Sequence, residues 1–117
     1  MSKHKIDSSP ELQQALRKFK AGVFQALAHP VRVHIIELLK NGEKAVSELL
    51  ASLGVEQANA SQHLAILRAK NLVFTRKDGN QVFYALRDPA LAEVLDSLKR
   101  FFQSHLEESL EILKTMD

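Results

Sequence analysis

The chain has 117 residues, 45% hydrophobic and 26% charged, with a formal net charge of +2 and no cysteine. That length supports one compact domain with a single core, and that balance of apolar and charged residues argues against intrinsic disorder. Without cysteine there can be no disulfide, no thiolate metal site, no iron–sulfur cluster and no thiol redox sensor. The small positive charge permits nucleic-acid binding without requiring it, so what matters is where the basic groups cluster. No apolar run approaches a membrane span, and Met1 to Pro10 is too polar for a signal peptide, so a cytoplasmic protein is expected.

Ser9 and Pro10 suit a helix cap and a first helical position. Leu12, Leu16, Phe19, Val23 and Leu27 then recur in steps of three and four, which predicts one apolar stripe on a helix over 10–28. The stripe is long for a helix at the edge of a domain, so it is expected to face a partner chain. Ala28-His29-Pro30 ends this helix, because the residue before proline is pushed out of helical geometry. A second helix follows with Val31, Ile35, Leu38 and Leu39 inward, closed by Asn41-Gly42.

A third, short helix is expected between Glu43 and Leu53, and Gly54 makes a tight turn. The fourth helix runs from Glu56 or Gln57 to Lys70, with Ala60, Leu64 and Leu67 inward and Ile66 beside them, and Asn71 can close it in a left-handed conformation. The period then changes from helical to alternating. Two β-prone runs, 72–77 and 81–86, flank Asp78-Gly79-Asn80 and predict a hairpin. Asp88-Pro89 opens a last helix to residue 115, whose stripe is Leu91, Leu95, Leu98, Phe102, Leu106, Leu110 and Leu113. So much apolar surface exceeds what a small core can cover, and helix pairing in a homodimer is its natural outlet.

The fold class is therefore mainly α with a small β-hairpin, in the order α-α-α-α-β-β-α. The short glycine-bearing link 52–55 between the third and fourth helices matches a helix-turn-helix over 45–70, whose second helix enters a major groove. Gln57, Ala58, Asn59, Ser61 and Gln62 form the start of that helix, and no charged residue follows Glu56 in its first two turns. Amide side chains can pair with adenine edges, and serine with several bases, which makes these five the candidate base readers. A helix that serves only packing would more usually carry Lys and Glu there; incidental polar residues on a solvated face are the bland alternative. His63, Arg68, Arg76, Lys77 and Asn80 are the candidates for backbone contact, the last three in a wing over 72–86, with a place by the hydrophobic corner as the alternative for His63. Arg87 adds a basic group just past it.

With those residues in place, the chain resembles the ArsR/SmtB family of winged helix-turn-helix repressors. Three segments in order carry the resemblance: Ala26 to Leu39 ("ALAHPVRVHIIELL"), Ser61 to Val73 ("SQHLAILRAKNLV") and Arg76 to Leu86 ("RKDGNQVFYAL"). The resemblance implies a homodimer paired through its first and last helices, by Leu12, Leu16, Phe19 and Val23 with Leu95, Leu98, Phe102 and Leu106. It also implies double-stranded DNA as partner, at an imperfect promoter palindrome, and an inducer that releases it. Whether that inducer is a small organic molecule or a metal, or whether this chain has none, stays open.

Both common sensory sites of the family are missing. No cysteine pair occurs at 46–50, and of the last-helix zinc ligands only Asp88 is present, with Ala90, Phe101 and Ser104 at the other places. No cofactor is expected. His105 and Glu108 form a His-x-x-Glu pair on the last helix, but two ligands are too few for a closed zinc site, and a solvated helix end is the plainer reading. His29 and His34 read as packing or backbone-bonding residues, and His4 lies in a tail over 1–9. The four glycines are scattered, so no phosphate loop forms, and no Ser-His pair has a third orienting group. An enzyme is not expected. A winged-helix module that binds protein instead of DNA is the alternative, but such surfaces favour aromatic and Met anchors, and the polar face of the fourth helix has none.

Overall fold

The computed structural model describes residues 9–115. Helix α1 spans Pro10–Leu27 and begins where expected: Ser9 Oγ accepts from the Leu12 amide at 3.2 Å, and Pro10 takes the first turn, where its missing N–H costs nothing. Helix α2, Pro30–Leu38, is capped by the His29 side chain, whose Nδ1 accepts from the Val31 amide at 3.1 Å. Next come a two-residue strand β1, Lys44–Ala45, and the helices α3, Val46–Leu53, and α4, Gln57–Ala69. Strands β2, Val73–Asp78, and β3, Gln81–Leu86, make the wing, followed by α5, Ala90–Ser104, and α6, Leu106–Thr115.

Helix α2 is the centre of the core. It packs against α1, α3, α4 and α5, so both Ile35 and Ile36 are fully buried, where the sequence pattern placed only Ile35 inward. Leu27, Leu39, Leu49, Leu64, Leu67 and Val73 complete the core around it. An ion pair of 2.7 Å between Lys40 Nζ and Asp96 Oδ2 ties the end of α2 to α5. Ile66, expected beside the inward face of α4, is 39% exposed. The steps of three and four that bury Ala60, Leu64 and Leu67 leave position 66 about 100° round the helix from Leu67.

The sheet is antiparallel with order β1-β3-β2. Lys44 pairs with Tyr84, Ala45 with Phe83, and in the hairpin Arg76 pairs with Phe83 and Asp78 with Gln81. Gly79-Asn80 is thus a two-residue turn, and Gly79 has the positive φ of 61° that a first turn position of this kind demands. Strand β1 was not expected: a third helix from Glu43 is replaced by two extended residues before Val46. Their cause is local. Glu48 Oε1 accepts from the Ala45 amide at 2.9 Å, so the helix starts at Val46 and the residues before it are free to pair with β3.

The last helix is two helices, not one. In an unbroken helix the Phe101 carbonyl would accept from the His105 amide. Instead it lies 2.8 Å from His105 Nδ1, and the His105 amide turns to the Phe102 carbonyl at 3.1 Å. Ser104 Oγ also bonds back, to the Arg100 carbonyl at 3.0 Å. Such side-chain bonds compete with the helix ladder. The chain restarts when the Ser109 amide bonds to the His105 carbonyl.

The radius of gyration is 17.4 Å. A compact domain of this length would have about 13 Å. The excess comes from α1 and from α5–α6, which project from the core: α1 buries only Ala26 and Leu27, α5 only Ala92, and α6 no residue at all.

Candidate nucleic-acid interface

Gly54 closes α3 with φ 65°, a left-handed conformation open to glycine at no steric cost, and its amide bonds to the Leu50 carbonyl at 3.3 Å. Val55 and the extended Glu56 carry the chain into α4. Four residues of α4 face the core: Ala60, His63, Leu64 and Leu67. The rest of its first two turns is exposed: Gln57, Ala58, Asn59, Ser61 and Gln62. No hydrogen bond or ion pair to another described residue engages these side chains. The five expected base readers therefore share one free surface. Helical geometry puts Ala58, Gln62 and Ala65 at its summit, with Ser61 to one side and Gln57 and Asn59 toward the edges. Ala65, which the sequence reading did not single out, is exposed beside Gln62 and keeps the surface low around it.

The backbone-contact candidates separate into three groups. Arg68, Lys77 and Asn80 are exposed. Arg76 is exposed too, but its guanidinium is held: Nε and Nη2 donate to the two carboxylate oxygens of Glu43 at 3.1 and 2.6 Å. That pairing holds the Glu43 carboxyl below its usual range and raises Arg76. His63 is turned away from the free surface. It is 8% exposed and sits against Arg32 and His29 inside the domain. Burial first, and then the nearby His29 and Arg32, lower its pKa. Position 63 lies on the inward arc of α4 with Ala60, Leu64 and Leu67, a signal available in the spacing.

Of the residues expected at a dimer face, Phe19, Leu98, Phe102 and Leu106 are more than half or nearly half exposed, while Leu12, Leu16, Val23 and Leu95 are half-buried. Four exposed apolar residues on the same arms were missed: Phe24, Val94, Phe101 and Ile112. They lie one residue off the predicted stripes, which widens each stripe into a face. Between α1 and the start of α5 this face holds a groove of about 400 Å³, lined by Phe19, Val23, Leu91 and Val94 among others.

His105 lies at the break between α5 and α6, so it and Glu108 are not on one continuous helix. Among the described residues no group of three or more His, Asp or Glu side chains is placed to hold a metal ion. No helix of the described residues is long and apolar enough to cross a membrane.

Comparison with known proteins agrees with this geometry. The profile described as "Bacterial regulatory protein, arsR family" matches residues 29–74, from the cap of α2 into β2. The HTH-type transcriptional regulator Rv0081 of Mycobacterium tuberculosis is 38% identical over 104 residues, which cover 88% of this chain and 91% of that one. Its crystal structure superposes with a TM-score of 0.70 over 82% of this chain and 98% of that one. The biofilm growth-associated repressor of Xylella fastidiosa is 35% identical over 82 residues, 70% of this chain and 72% of that one. The solution structure of the homodimeric winged helix-turn-helix DNA-binding domain of Mb0332 from Mycobacterium bovis is 29% identical. It has a TM-score of 0.74 and covers 86% of this chain and 94% of that one. The protein is a winged helix-turn-helix DNA-binding transcriptional regulator, not an enzyme, and it belongs to the ArsR family.

Proposed function

We propose that the protein is a homodimeric repressor that binds a two-fold-related pair of DNA half-sites in a promoter. The observation that carries this reading is the uncharged, unengaged surface of Gln57, Ala58, Asn59, Ser61 and Gln62. A free glutamine or asparagine can give an adenine edge two hydrogen bonds, and the absence of charge lowers the cost of bringing that surface against bases. Arg68 near the end of α4, with Lys77 and Asn80 on the wing, supplies the flanking contacts to sugar and phosphate.

The dimer follows from surface chemistry. Phe19 and Phe24 on α1, with Leu98, Phe101 and Phe102 on α5, are all exposed. A monomer rarely leaves so much contiguous apolar surface to water. Pairing the arms about a two-fold axis covers it and presents two copies of α4 to one face of a duplex. Repression draws support from the Xylella fastidiosa relative, whose name records that role, and homodimerisation from the homodimeric Mb0332 domain.

The test is selection of duplexes from a random pool by the purified protein, followed by sequencing and footprinting. The expected product is an inverted repeat, with half-site centres one helical turn or a multiple apart. Selection of a single unrepeated motif would contradict the dimer, and no enrichment would contradict sequence reading.

A further inference from the structure

Arg76 is one of the wing residues that the sequence assigns to backbone contact, yet all three nitrogens of its guanidinium already face carboxylates. Besides the two bonds to Glu43, Nη1 lies 3.6 Å from Asp78 Oδ2, and Cζ lies 4.5 Å from the centroid of the Phe83 ring. Two edges face carboxylates and one face covers an aromatic ring, the arrangement a planar guanidinium suits and an ammonium does not. The pair also has a defined place in the sheet. Glu43 directly precedes β1 at one edge, Arg76 lies on β2 at the other, and both Ala45 of β1 and Arg76 register with Phe83 of the middle strand. The ion pair thus straps one edge strand to the other across Phe83.

Such a strap bears on the outer end of the hairpin, which extends beyond the core contacts of Val73, Tyr84 and Leu86. The outer end of the hairpin, from Arg76 on β2 through the turn to Asn80, is exposed, and this strap adds to the ladder with β3 in fixing its direction. Lys77, by contrast, has no ion-pair partner among the described residues.

We propose that Arg76 is a positioning residue that, through Glu43 and Phe83, sets the angle at which the wing meets DNA, and that Lys77 is the wing cation that neutralises phosphate. This rests on the reading of the wing as part of the DNA interface. A cation already neutralised by a carboxylate releases few counterions from DNA when it binds; a free one releases close to a full share.

Two measurements test the pair. The first needs no DNA: amide hydrogen exchange at the wing residues 77–82 in the free protein. Glu43→Gln, Arg76→Ala and Arg76→Lys are each expected to speed exchange by about threefold or more, since each removes the fork and loosens local opening. Lys77→Ala is expected to leave it unchanged. Unaltered exchange in the first three variants overturns the proposal, whatever the DNA result. The second is the slope of log affinity against log salt for a selected duplex. Arg76→Ala is expected to weaken binding several-fold with the slope intact, and Lys77→Ala to reduce the slope by about 0.9 per protomer. An equal drop in slope for Arg76→Ala overturns the proposal. A wild-type slope near zero would instead count against the DNA-interface reading itself, and the exchange data would still judge the strap.

Discussion

The imidazole of His63 lies against that of His29, with ring centroids 4.1 Å apart and planes inclined by 40°. On its other side His63 Nδ1 is 3.0 Å from Arg32 Nη1. A guanidinium only donates, so Nδ1 is the acceptor and the ring proton of the neutral imidazole sits on Nε2. Arg32 also donates through Nε to the Ala26 carbonyl at 2.6 Å, and His29 caps α2. One polar cluster therefore joins the end of α1, the start of α2 and the middle of α4. Its side chains hold the helix that carries the proposed base readers, and none of them is acidic.

That cluster makes stability depend on pH. The folded state lowers the pKa of His63, through burial first and then through His29 and Arg32. The unfolded chain takes up the proton near the ordinary value of about 6.5. Stability is therefore fully present above that pH and falls as pH drops below it toward the folded value, because the unfolded state binds the proton more readily. Urea unfolding at pH 7.5 and 5.5 should show the loss at the lower pH. His63→Gln, which cannot titrate, should show a smaller one. An equal pH dependence in the variant would place the effect elsewhere.

Arg32→Ala should destabilise the fold by about 1–3 kcal/mol, the range for losing charge-assisted hydrogen bonds whose partners stay partly buried. It strips the Ala26 carbonyl and His63 Nδ1 of their donor together. The urea midpoint should fall while the slope of the transition holds. A midpoint unchanged from the wild type would show that water replaces the guanidinium freely.

Phe19→Glu and Leu98→Glu should each break the proposed dimer. Phe19 is 68% exposed and Leu98 47% exposed in the single chain, so neither change should disturb folding of the protomer. Sedimentation velocity should give the mass of one chain for the variants and of two for the wild type, with unaltered far-ultraviolet circular dichroism. Affinity for a two-half-site duplex should then fall more than about tenfold, as each protomer binds alone. Variants that sediment as the wild type does would remove the arms from the interface.

Elements with a strong local cause were legible in the sequence. Ser9 and Pro10 start α1 as expected, Asn71 takes the left-handed φ of 64°, and Gly79 turns the hairpin. Features that depend on distant partners were not. Strand β1 has two residues, too few for any period, and exists because β3 offers an edge. The Glu43–Arg76 pair joins residues 33 apart in sequence, which no spacing rule anticipates. The break at His105 comes from side chains bonding back to their own helix, and an apolar stripe that continues in helical steps hides it. Within α4 the polar face was readable because spacing alone separates it from the core; the inward course of His63 was readable too, and its polar character left it between the hydrophobic corner and a phosphate.

Double substitution of Gln57 and Gln62 by alanine, assayed on a selected duplex and on a scrambled one at the same salt, tests the central claim that the free face of α4 reads bases. Affinity for the selected duplex should fall by about 1–3 kcal/mol for each glutamine–base pairing removed, while that for the scrambled duplex stays nearly constant. Equal weakening on both duplexes, or none on either, would contradict it.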